Sequence, residues 1–270
     1  VVADVFCFDY YPYEYATKYA YCNLENYLLA VDRMVEWNYN LLPCISWIET
    51  CDIRAVPDGY DPTPAPTPAE LRNLIWTTII HNCKGIGWFH YFEPTPAENK
   101  AVMATAVRQI TELTPVILGP EEVSRNVSCV ETGGGRVDVM AREHLAKLYV
   151  FAANTRTTAA TARITVAGLE DGEFVQVYDE GRAIEAEDGY FEDTFDPLGV
   201  HIYVIGSGVG TPGVPNVALC TVEATTPLYA NGATWSVITV TVHDGYDGPV
   251  VGELPQNILV DVVGGTGNVL

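Results

Sequence analysis

The sequence predicts a mixed chain, α/β in its N-terminal part and all-β beyond, on three observations. From residue 1 to about 118, apolar segments of strand length alternate with longer segments of helical period, the order that builds parallel β/α units. From about Ser124 the pattern changes to short apolar runs separated by Gly, Asp and Asn, the punctuation of an antiparallel sandwich. A Gly/Pro-rich stretch, Gly206 to Pro215, then leads to another alternating segment that runs to Leu270. The resulting boundaries are 1–120 for the β/α part, 121–207 for the sandwich, 208–217 for a linker and 218–270 for a second, incomplete sandwich.

In the first part, strands are expected at Ala3 to Phe8, Cys44 to Ile48 and Gly85 to Phe92, and helices at Thr17 to Trp37, Pro68 to Asn82 and Ala97 to Leu113. The second helix has the clearest signals. Thr67, Pro68 and Glu70 supply an N-cap, a proline at the first helical position and an early acid, and Leu71, Leu74, Ile75, Thr78 and Ile79 recur with the period of a helix lying on a sheet. The Pro-rich run Asp61 to Pro68 before it reads as a stiff surface loop.

In the second part, the expected strands are Val137 to Met140, Leu148 to Ala152, Ala162 to Val166, Phe174 to Tyr178, Tyr190 to Asp193 and Val200 to Ile205. Gly133-Gly134-Gly135 precedes a strand rather than joining strand to helix, so it reads as a hairpin loop and not as a phosphate cradle. Beyond the linker, Trp235 to Val242 is the clearest strand and Ala230-Asn231-Gly232 a turn.

Composition narrows the function. The chain of 270 residues is 48% hydrophobic, and 35 acidic against 14 basic residues give a net charge of −21. Phosphate neutralisation needs basic clusters, so no nucleic-acid partner is expected. No apolar run reaches the roughly 18 to 20 residues of a membrane span. Residue 1 is Val and the first Met is Met34, with the chain opening inside an apolar segment, so we expect a piece of a longer protein. The seven cysteines show no metal-ligand spacing, and no cofactor signature occurs, so neither metal nor cofactor is expected. Most cysteines read as small buried apolar residues, with a Cys44–Cys51 disulfide as the alternative in an oxidising compartment.

Apolar segments that end in functional groups direct attention to one region. The expected strand in ADVFCFDYYPY ends in Asp9, Tyr10 and Tyr11, that in PCISWIET in Glu49, and that in KGIGWFHYF in Trp88, His90, Tyr91 and Phe92. In parallel β/α enzymes the chemistry sits at the strand C-terminal ends. These segments, with TPAELRNLIWTTIIHNC and a helix ending ITELTPVIL, resemble the last three β/α units of a clan A glycoside hydrolase barrel, in the style of the family 42 β-galactosidases. LYVFAAN and FEDTFDPLGVHIYVI resemble the β-domain that trails such barrels, and VEATTPLYANGATWSVITVTVHDGYDGPVVG resembles the start of a bacterial Ig-like domain of the invasin and intimin type.

The resemblance implies the C-terminal half of a (β/α)8 barrel, a β-sandwich and a partial Ig-like domain. It also implies a secreted or surface-attached retaining glycosidase with a carbohydrate substrate, joined to an upstream barrel half and further Ig-like repeats. Glu49 then matches the nucleophile at the end of strand 7, while the acid/base at the end of strand 4 has no counterpart here. Asp9, Tyr10, Tyr11, Trp88 and His90 are the expected substrate-binding residues.

Each assignment has a plainer competitor: a solvated loop carboxylate for Glu49, aromatic packing for Tyr10 and Tyr11, and core for half of the Trp88 to Phe92 cluster, since a strand alternates its faces. Glu93 reads as a loop carboxylate, His81 as a helix-end or surface residue, and Asn126-Val127-Ser128 as a short glycosylation match. The alternative function is a carbohydrate-binding or adhesive surface protein without catalysis.

Overall fold

Local signals set the ends of the helices. Asn23 turns its side chain onto the amide of Asn26, 2.9 Å away, satisfying one of the donors that a helix start leaves open. Helix α1 therefore runs Leu24–Trp37, beginning later than the sequence pattern suggests. Thr67 and Glu70 cap each other reciprocally at the start of α2, Pro68–Ile80, with Pro68 at its first position. Helix α3, Ala97–Ile117, continues past the expected end at Leu113 and carries Pro115 inside it. A proline there removes one amide from the last turn, and the ladder resumes at once, with Leu118 donating to the Thr114 carbonyl at 3.0 Å.

The computed structural model describes residues 4–13, 16, 19–39, 41–52, 65–89, 95–121, 123–206, 221–224 and 238–243. They belong to two units, one made of Val1–Val177 with Ile184–Gly206, the other of Tyr178–Ala183 with Ser207–Leu270.

In the first unit, strands β1 (Phe6–Asp9), β2 (Cys44–Glu49) and β3 (Gly85–Phe89) form a parallel sheet in the order β1-β2-β3. Alternation divides it into two faces. Phe8, Ser46 and Ile48 lie towards the helices: the Tyr27 hydroxyl of α1 donates to Ser46 Oγ at 2.9 Å, and its ring stacks on Phe8. Asp9, Trp47, Glu49, Gly87 and Phe89 share the opposite face by register. Gly87 makes room there, because a Cβ at that position would stand 2.6 Å from the indole of Trp47.

Eight further strands follow: β4 (Val127–Thr132), β5 (Val137–His144), β6 (Lys147–Asn154), β7 (Ala160–Val166), β8 (Phe174–Val177), β9 (Arg182–Glu185), β10 (Tyr190–Phe195) and β11 (Val200–Ile205). They form a sheet ordered β10-β7-β4 and another ordered β5-β6-β11-β8-β9. Val150, Ala152, Ile164, Phe191, Phe195 and Tyr203 contribute to one core shared by both. The Gly133–Gly135 segment does not close a hairpin, since β4 and β5 belong to different sheets and the chain crosses between them. Gly133 and Gly134 adopt φ of +92° and +87°, the left-handed region that spares a residue without Cβ any steric cost.

From Asn73 to Ile80 helix α2 is buried on every side, including Asn73, Thr77 and Thr78, because it packs against the parallel sheet on one flank and against β5, β6 and β11 on another. The Trp76 ring stacks on Phe151 with centroids 6.0 Å apart. Arg72 donates to the Val200 carbonyl at 2.8 Å, and the Asn73 amide donates to the Asn154 and Leu198 carbonyls at 2.9 and 3.0 Å.

In the second unit, β12 (Thr221–Ala224) and β13 (Ile238–Thr241) pair antiparallel, Thr221 with Thr241 and Ala224 with Ile238. The expected turn at Ala230-Asn231-Gly232 and the linker at 208–217 lie outside the described residues.

Candidate functional site

Glu49 is the last residue of the middle parallel strand, and it is fully buried. A carboxylate without water needs donors close by. One of them is the main-chain amide of Tyr13, which donates to Glu49 Oε1 at 2.8 Å. The turn after β1 thus folds back over the end of β2. Burial, followed by the charges of Glu70 and Glu49, holds the Tyr13 phenol well above the usual tyrosine range, so it keeps its proton. Burial and then Glu49 likewise push up the Cys22 thiol.

Phe89 stands directly beside Glu49 in the ladder, and Tyr11 stacks on it with centroids 5.1 Å apart and planes at 24°. The Tyr11 hydroxyl donates to Asp9 Oδ2 at 3.2 Å. Glu49, Asp9, Tyr11 and Phe89 accordingly form one patch at the C-terminal end of the sheet, with Trp47 on the same face one step back along β2.

Two expected residues sit elsewhere. Tyr10 turns to the helix side, where its hydroxyl donates to the Tyr21 carbonyl and its ring lies 6.0 Å from that of Tyr27. Trp88 pairs with Ile48, not with Glu49, so strand parity gives it to the helix-facing side. His90 lies outside the described residues, as do Tyr91, Phe92 and Glu93.

Tyr13, Phe89 and Trp47 escaped sequence reasoning. Counting in twos from Glu49 along β2 finds Trp47, and the parallel register finds Phe89. Tyr13 had no signal, because its contact is made by the main chain.

Cys44 opens β2 and Cys51 lies just past its end, and they do not suit a disulfide: at about 3.3 Å of rise per residue the strand keeps their Cα atoms beyond the roughly 7 Å a bridge tolerates. His81 caps α2 rather than joining the patch. Among the described residues, no group of three or more His, Cys, Asp or Glu side chains is placed to hold a metal.

No protein-family model and no curated protein sequence matches the chain. Among solved structures it is similar to an α-amylase from Geobacillus thermoleovorans complexed with acarbose, at 11% identity and a TM-score of 0.44 over 68% of this chain and 48% of that one. It is also similar to an Anoxybacillus α-amylase, at 10% identity and a TM-score of 0.41 over 66% and 42% of the two chains. A family 30 endoxylanase from Clostridium papyrosolvens gives 14% identity and a TM-score of 0.39 over 66% and 46%. The chain thus spans less than half the length of each of these glycoside hydrolases.

Proposed function

We propose that this chain is the C-terminal half of a (β/α)8 barrel of a retaining glycoside hydrolase, followed by a β-sandwich and the start of an Ig-like domain, with Glu49 as the nucleophile. The observation that carries the reading is the placement of Glu49, a buried carboxylate at the C-terminal end of the middle strand of a parallel sheet, held on one oxygen by the Tyr13 amide. Tyr11 and Phe89 beside it offer aromatic faces of the kind that stack on a pyranose ring.

In a double displacement, Glu49 attacks the anomeric carbon while a second carboxyl, about 5 to 5.5 Å away, protonates the leaving oxygen. On this reading that acid belongs to a strand in the other half of the barrel. The parent protein acts outside the cell or on its surface, with Ig-like repeats as spacers.

A leaving group that is already a weak base needs no acid, so the nucleophile can be tested in the 270-residue chain itself. The probes are 2,4-dinitrophenyl 2-deoxy-2-fluoro galactosides, glucosides and xylosides. A Glu49 oxygen bonds to the anomeric carbon, the bond to the aryl oxygen breaks, and dinitrophenolate leaves with the electron pair. The expected result is one equivalent of dinitrophenolate and a glycosyl ester on the Glu49 peptide, both lost in Glu49→Gln. Labelling that survives Glu49→Gln removes the assigned nucleophile. A chain that binds glycans but forms no ester favours the adhesive alternative.

A further inference from the structure

The strand that carries Glu49 ends in a second set of contacts, made by the residues just after it. Thr50, fully buried, donates its amide to the Phe89 carbonyl at 2.9 Å, and its hydroxyl lies 3.2 Å from that of Thr95. Asn99, in the first turns of α3 and also fully buried, places its side-chain amide between two carbonyls, donating to Thr50 at 3.0 Å and to Pro66 at 2.8 Å. Pro66 immediately precedes the Thr67 cap of α2. One side chain therefore ties the end of β2 to the start of α2.

We infer that Asn99 is a positioning residue for Glu49, resting on the reading of Glu49 as nucleophile. Both amide protons of Asn99 are used, while its Oδ1 is buried with no hydrogen-bond partner among the described residues. Leaving an acceptor unpaired carries a free-energy penalty, and the two donated bonds set the direction in which the Thr50 peptide points. That direction, together with the Phe89 ladder, fixes the backbone from which the Glu49 side chain departs. Asn99 itself makes no bond to the carboxylate among those described, so it acts through Thr50. The geometry of attack is demanding: displacement by about 1 Å can cost on the order of 10²-fold in rate.

The test follows the rate of Glu49 esterification by the dinitrophenyl fluoroglycosides in the 270-residue chain. Asn99→Leu removes both donors and is expected to slow esterification by about 10- to 100-fold. Asn99→Asp, of the same shape, has one donor when protonated and none when ionised. Its rate relative to Asn99→Leu is therefore expected to rise as pH falls through the titration of Asp at that position. A purely structural role would not produce that pH-dependent rescue. Circular dichroism melts establish that each variant is folded, and if the Leu variant is not, the pH dependence of the Asp variant decides alone.

Esterification at the wild-type rate in Asn99→Leu, or an Asp variant with the pH profile of wild type, overturns the positioning role and leaves the nucleophile standing. If wild type forms no ester at Glu49, both readings fall together.

Discussion

His81 and Asp138 meet across the boundary between the α/β and all-β parts of the sequence, with His81 Nε2 3.2 Å from Asp138 Oδ2, while Asp32 of α1 approaches His81 Nδ1 to 2.6 Å. The imidazole is only 10% exposed, so burial alone would lower its pKa. Hydrogen bonds and charges from Asp138 and Asp32 outweigh that and raise it to about 9. Arg136 faces the same Asp138, and Glu36 lines the same groove.

A folded-state pKa above the unfolded value means that His81 stabilises the fold fully below about pH 6.5, and that this stabilisation is lost as pH rises through about 9. The loss is on the order of 2 kcal/mol, since Asp32 is half exposed and its share is screened. Asp138, whose pKa burial raises and His81 more than restores to below the ordinary value, contributes in the opposite window: its stabilisation is lost as pH falls through that depressed value. Thermal melts from pH 6 to 10 are expected to show Tm falling above pH 7 in wild type, with a shallower fall in His81→Gln. Equal slopes would show that the pair is not coupled to folding.

Asn73 is expected to be among the most sensitive positions outside the site. Replacing it by Leu roughly keeps the volume but leaves the Asn154 and Leu198 carbonyls without their donor, at about 2 to 4 kcal/mol for the two together. Urea unfolding of Asn73→Leu measures this directly, and a loss below about 0.5 kcal/mol would mean that other donors replace it.

Tyr13 is expected to show the reverse behaviour. Its hydroxyl is buried and has no hydrogen-bond partner among the described residues, so the fold bears the cost of desolvating it. Tyr13→Phe keeps the ring and the main-chain amide to Glu49, and is expected to stabilise by about 1 kcal/mol, or roughly 2 to 4 °C in Tm. A less stable Phe variant would reveal a partner for the hydroxyl.

The parallel sheet is expected to drive self-association. β1 and β3 are its outer strands, and Phe6, Trp37 and Trp47 are 45%, 71% and 41% exposed. Sedimentation of the chain at tens of micromolar is expected to show species larger than a monomer, reduced in Trp37→Glu. A monomer at every concentration would contradict the exposed faces.

The elements most legible in the sequence were those whose signals are local. The reciprocal cap at Thr67 and Glu70 and the short apolar run Val200 to Ile205 each depend on neighbours in sequence, and the structure has them where expected. Strands β4 and β9 were not anticipated; Val127 to Thr132 breaks the apolar alternation, with Val130 on its exposed face and Glu131 on the other, and Arg182 to Glu185 is short and charged at both ends. The place of Glu49 at the end of β2 was legible because a carboxylate closes the apolar run Ile45 to Ile48. Trp88 falls on the helix-facing side because alternation says that half of the cluster faces the site but not which half, and Tyr13 and Asn99 could not be read, since each acts on the main chain or through it across 36 and 49 residues.

From Asn73 to Ile80 helix α2 has no outside, and this bears on how the protein can be divided. Residue 120 looks like a natural seam in the sequence, yet a cut there would strip Trp76 of Phe151, Asn73 of both its carbonyls and Arg72 of Val200. The β/α part would be left with an open wound along the middle of its central helix. Trp76, Asn73 and Arg72 on one stretch and Phe151, Asn154, Leu198 and Val200 on the other form a single interior, so a division at residue 120 leaves neither half with a finished surface.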